Sequence, residues 1–133
     1  MRRRHRQRGA AAVEFALVLP LFAALLFGVI EYGWIFYQRF NIAAAVRDGL
    51  RQGVTVSQSV TPDPRSVAIS QTQADLTAAG ISTGSITVNA QYSGAAPTKV
   101  MTVSAVMPYH SLIGFVPVPQ NLRYSMTMML ELQ

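Results

Sequence analysis

The chain has 133 residues, 11 basic and 6 acidic side chains, a formal charge of +5 and no cysteine. That length bounds it to one compact domain with at most one appended element. Half of the residues are hydrophobic and only 13% are charged, whereas an ordinary soluble domain carries about 25% charged residues. The composition argues against a cytosolic globular protein. The lack of cysteine excludes a disulfide framework, a thiolate zinc site and a cysteine nucleophile. The charge belongs to one end: Arg2, Arg3, Arg4, Arg6 and Arg8 fall within the first nine positions, and from Ala10 onward six basic residues face six acidic ones.

An arginine run of this kind can neutralise nucleic-acid phosphates. Here it stops at Gly9, and a long apolar stretch follows at once, so a nucleic-acid partner is not expected. No charged residue lies between Phe15 and Ile30, and only Glu14 and Glu31 interrupt about 28 apolar positions from Ala10 to Tyr37. A helix of that length covers about 40 Å at 1.5 Å per residue, enough to cross a bilayer. The positive-inside bias then keeps the arginines in the cytoplasm and sends the C-terminal part outward. A cleaved secretory signal is the competing reading, but its apolar region spans only about 7–15 residues. The small-residue run Ala43-Ala44-Ala45 comes after Arg39, too late for its cleavage site.

Glu14 is costly inside a membrane segment and calls for a partner. An α-amino group released just before it would supply one. Arg8-Gly9 followed by Ala10-Ala11-Ala12-Val13-Glu14-Phe15 has a basic leader, a small residue before the cut and an acid fifth after it. This pattern, the apolar helix with Pro20, the run Gly28-Val-Ile-Glu-Tyr-Gly33, the segment from Asn41 to Arg51 and the C-terminal Leu-Glu pair resemble the type IV pilin superfamily. They are most similar to the TadE-like pseudopilins of the tight-adherence (Tad, or Flp-type) pilus. The specific part of the resemblance covers residues 8–51. It implies cleavage between Gly9 and Ala10 by a prepilin peptidase and a role of Glu14 and Phe15 in assembly. It also implies a single-pass inner-membrane protein with an extracytoplasmic head. Its partners would be other Tad pilins and pseudopilins, the platform proteins of the inner membrane and the lipid bilayer. A plain signal anchor carrying a binding module of the cell envelope is the alternative.

Within the membrane helix, Pro20 removes one backbone bond, and Ala12/Ala16 and Ala24/Gly28 are small-xxx-small pairs suited to close helix packing. Glu31, near the outer end, reads either as an exposed interfacial acid or as an inter-subunit contact. Beyond the membrane, Ile42, Val46, Leu50 and Val54 recur every four residues and form a stripe facing the head. An unbroken helix from Ala10 to Val54 would have 45 residues, with Gly49 and Gly53 weakening its end. The organisation expected is a leader over 1–9, a transmembrane helix over 10–37, an amphipathic extension over 38–54 and a head over 55–133.

In the head, Thr55 to Pro64 reads as a loop and Asp63-Pro64 as a helix start, with Asp at the N-cap and Pro at the first helical position. Ile69, Thr72, Leu76 and Ala79 make the expected inner stripe, and Gly80 the C-terminal cap. Strands are expected over 85–92, 98–107 and 122–130, with a turn over 93–97 and a proline-broken connection over 109–120. The fold class is α+β: a long N-terminal helix, one further helix and a three-stranded antiparallel sheet. Gly80-Ile-Ser82-Thr-Gly84 fits the G-x-S-x-G expression of serine hydrolases. It has a helix before it and a strand after it, the reverse of a nucleophile elbow, and no acid lies between Ser82 and His110. No catalytic residue, metal ligand set or cofactor is expected.

Overall fold

The glycines at 49 and 53, weak helix formers in isolation, lie inside an uninterrupted helix. The computed structural model describes residues 3–56, 62–95 and 99–130, with side chains from residue 9 onward. Helix α1 spans Arg3–Thr55 and contains Pro20 without ending there. It is followed by α2 (Pro64–Ala78), a 3₁₀ turn (Thr83–Ser85) and strands β1 (Thr87–Ser93), β2 (Val100–Pro108) and β3 (Asn121–Met129). The strands form one antiparallel sheet in the order β1-β2-β3, so the fold is α+β. The expectations for Arg2, for residues 57–61 of the loop, for residues 96–97 of the turn, for residue 98 of the second strand and for Glu131 lie outside the described residues. So do the side chains of Arg3, Arg4, Arg6 and Arg8.

The residues fall into two units: Met1–Trp34 with Ser111–Val118, and Ile35–His110 with Pro119–Gln133. The second unit holds the hydrophobic core. Ile42, Val46, Leu50 and Val54 of α1 are buried in it, with Leu76 of α2, Met101, Val103 and Ala105 of β2 and Leu122 of β3. Gly49 and Gly53 are buried as well. A Cβ on Gly49 would overlap the Thr72 hydroxyl and approach the Ala68 carbonyl oxygen to 2.6 Å; one on Gly53 would meet Ala68 Cβ at 2.8 Å and Pro64 O at 2.9 Å. The two glycines therefore let α1 approach α2 closely, which offsets their poor helix propensity. The same contact sets the rotation of α2. Its buried positions are Pro64, Ala68, Thr72 and Leu76, a stripe running through Ala68 where the apolar pattern favoured Ile69. Only a small side chain fits opposite Gly49 and Gly53.

Both ends of α2 are capped. Asp63 Oδ1 accepts from the Arg65 backbone N–H at 2.8 Å, and Pro64 occupies the first helical position, where its missing N–H costs nothing. At the other end Gly80 takes φ +74°. Ile81 N–H donates to Leu76 O and Gly80 N–H to Thr77 O, each at 3.0 Å, the paired bonds of a Schellman cap. The Gly80–Gly84 segment is this cap followed by the 3₁₀ turn, which also delays the first strand to Thr87. In β2 the inward residues are Met101, Val103, Ala105 and Met107. The opposite sheet face carries Thr102 and Thr127, whose hydroxyls are 2.7 Å apart. Met126 and Met128 are half-buried, whereas Met129 alternates outward and is exposed.

Asp63 also ties α2 to the sheet. Its carboxylate receives the Arg65 guanidinium and, at Oδ1, the Tyr92 hydroxyl at 3.0 Å. The Tyr92 ring carries the Arg65 and Lys99 cations at 4.9 and 4.4 Å from its centroid. The Arg65 side chain and the backbone N–H of the same residue hold the Asp63 carboxyl well below the usual carboxylate range, outweighing its slight desolvation. Desolvation, then the bond to Asp63, pushes the Tyr92 phenol up.

Two outcomes follow for stability. An unfolded carboxyl titrates near pH 4, and the folded Asp63 titrates lower, so its contribution is present above about pH 4 and is lost as pH falls below that toward the folded value. Asp63→Ala should lower stability by about 1 kcal/mol at neutral pH and flatten the acid limb of a chemical-denaturation series. Gly49→Ala should destabilise by about 1–2 kcal/mol, because overpacking against the Ala68 carbonyl outweighs the gain in helix propensity; thermal unfolding of the two proteins side by side reads this.

Candidate functional site

Unit one is built around the N-terminal part of α1. This helix is long and apolar enough to cross a membrane. Val13, Phe15, Leu17, Val18, Leu21, Phe22, Leu25 and Val29 all project away from the protein. Gly9, Ala10 and Glu14 lie on the helix and are exposed. Among the described residues, a Cβ at Gly9 or Gly28 would meet nothing within 4 Å. Ala24 and Gly28 are half-exposed and Pro20 is exposed. Glu14 and Ala10 are separated by about 6 Å of helix rise.

Glu31 stands apart, with a relative exposure of 0%. Its Oε1 accepts from the Leu112 N–H at 3.1 Å and its Oε2 from the Ile113 N–H at 3.0 Å. The next amide, Gly114 N–H, donates to Ser111 Oγ at 2.7 Å, and Gly114 takes φ +70° to close the turn. Three successive backbone N–H groups are therefore aimed at acceptors, two of them at one carboxylate. One turn position further on, Tyr32 donates its hydroxyl proton to Pro117 O at 3.1 Å. Glu31 is thus neither an exposed interfacial acid nor dependent on another subunit for its donors, because the chain supplies them. Charge-assisted bonds to backbone N–H groups are the strong class of hydrogen bond, and they let an apolar helix carry an acid without an unpaired charge.

The segment that supplies those donors, Ser111-Leu-Ile-Gly-Phe-Val-Pro-Val118, contains no charged residue. It leaves Leu112 and Phe115 exposed at 59% and 75%. In the sequence it has only the marks of an irregular, proline-broken connection. Its one advance signal is the absence of charge between Lys99 and Arg123 apart from His110.

Residues 9–51 match the family model described as TadE-like protein. This stretch, about a third of the chain, is similar to TadE-like proteins. The matched stretch begins at Gly9 and takes in Glu14, Glu31 and the glycine at 49, and it is consistent with a protein of the Tad pilus system. Neither the curated proteins nor the solved structures contain a match to this chain.

Replacing Glu31 by Ala should free the Leu112 and Ile113 amides, at about 1–3 kcal/mol for each donor left unpaired in a dry site. The expected result is faster protease cleavage within residues 111–118, with the β-sheet still resistant. Glu31→Gln, which keeps one acceptor oxygen, should fall between wild type and Glu31→Ala.

Proposed function

We propose that the protein is a minor pseudopilin, a non-catalytic structural subunit of a Tad-type (type IVc) pilus assembly and secretion apparatus that supports pilus biogenesis and surface adhesion. In this reading a prepilin peptidase removes residues 1–9 and the mature chain begins at Ala10. The helix crosses the inner membrane with its N-terminus in the cytoplasm, and the head lies outside. There it assembles with other Tad pilins and pseudopilins on the platform proteins of the inner membrane. What supports it is the TadE-like match over 9–51, falling on a helix whose apolar residues are left uncovered by the other described residues. The polar demand of that helix is concentrated at two acids. Glu31 is satisfied within the chain. Glu14 is exposed and faces the side from which the new amine of Ala10 would come. Pairing the amine and the carboxylate removes much of the cost of two isolated charges in lipid, and a pair formed between chains would set the axial register of one helix against the next.

The test is the mass of the native N-terminus together with recovery of pilus subunits. The mature protein should begin at Ala10, and an intact leader in cells with active prepilin peptidase would contradict the proposal. Glu14→Ala should insert into the membrane and keep its head folded, yet co-purify with other pilus subunits several-fold less than wild type at equal expression. Equal recovery with normal piliation would assign the chain to a plain signal anchor.

A further inference from the structure

We infer that the segment Ser111–Val118 is a second membrane contact: a wedge that seats Leu112 and Phe115 in the outer interface of the same bilayer that α1 crosses. The inference rests on α1 spanning the bilayer and adds to that reading a surface that it does not contain.

The level of the wedge follows from its bonds. Glu14 and Glu31 are seventeen residues apart in α1, which is about 26 Å of helix rise, against a hydrocarbon core about 30 Å thick. A helix that places Glu14 at the cytoplasmic boundary places Glu31 at the outer one. Leu112 and Ile113 are bonded directly to Glu31, and Pro117 to Tyr32, so the segment lies beside the helix turn that leaves the hydrocarbon. Irregular backbone is excluded from the lipid-exposed hydrocarbon region because its polar groups find no partners there. In this segment the amides of residues 112, 113 and 114 are all bonded, which adapts it to the boundary. Its two exposed large hydrophobic side chains are a leucine and a phenylalanine, no charge opposes their entry, and Tyr32 and Trp34, residues typical of the membrane–water interface, are exposed on the neighbouring helix turn. The uncovered apolar surface of the helix is therefore continued by the wedge. The chemistry of both selects lipid as the occupant.

The same bonds give the wedge a function. A carboxylate at the hydrocarbon boundary would otherwise draw the helix end toward water. Bonded to the wedge, Glu31 is kept dry, and the axial position of α1 is fixed by a contact outside the helix.

The chain has no cysteine, so single-cysteine variants take a nitroxide label at one position each. Leu112→Cys and Phe115→Cys are compared with Val29→Cys on the exposed helix surface and Ser125→Cys on the polar sheet face. The full chain is reconstituted alone in vesicles of phosphatidylcholine and phosphatidylglycerol, and each label is read by its collision rates with oxygen and with a water-soluble nickel chelate. The oxygen-to-nickel ratio at 112 and 115 should be several-fold above that at 125 and below that at 29. If Val29 reports lipid while both wedge labels match Ser125, the wedge is in water and the inference fails alone, and a protein neighbour becomes the occupant to seek. If Val29 also matches Ser125, the bilayer-spanning helix fails and the wedge falls with it.

Discussion

A carboxylate placed in an apolar helix needs donors, and in this protein they come from backbone 81 and 82 residues further along the chain. The Glu31 contact makes the segment between β2 and β3 part of the first unit and not of the sheet from which it emerges. It also decides what the helix can expose. With its outer acid buried and bonded, the uncharged surface from Phe15 to Ile30 is left without a polar interruption. Two bonds from main-chain amides suit this task better than a lysine or arginine would, because they add no second charge that would itself have to be desolvated.

The second unit depends on a different constraint, the close approach of α1 to α2. Gly49 and Gly53 remove the side chains that would hold the helices apart, and Ala68 and Thr72 present small groups opposite them. Large residues then pack beyond this contact, with Leu50, Leu76, Met101 and Leu122 all fully buried. The glycines lower helix propensity by about 1 kcal/mol each, and tertiary packing overrides that cost.

Much of the fold was legible in the sequence because it is encoded locally. The four-residue recurrence from Ile42 to Val54 marks a buried helix face. Asp63-Pro64 and Gly80 mark the ends of α2, and alternation marks three strands. The misplacements have one origin, since local patterns do not record what sits opposite. Ile69 is the more apolar residue, yet Ala68 is buried because a glycine faces it. Ile86 alternates with the strand, yet the turn at Thr83 holds the strand back to Thr87. In the candidate site, Gly9, Ala10 and Glu14 are defined by motif spacing along one helix alone, and the structure adds that all three are exposed on α1. The partner of Glu31 was not legible. Backbone amides have no residue signature, and the segment that carries them is distant in sequence, uncharged and irregular. The uncharged run between Lys99 and Arg123, with its apolar Leu-Ile-Gly-Phe core, is the trace that the sequence offers.

Glu31 is satisfied by backbone amides of its own chain. Residue-resolved amide hydrogen exchange on the wild-type protein in bilayers tests it most directly. Leu112 and Ile113, which lie outside every helix and strand, should exchange as slowly as amides of the sheet, because both donate to Glu31. Exchange of both at the rate of an open loop would show that the carboxylate is held some other way, and would contradict the account.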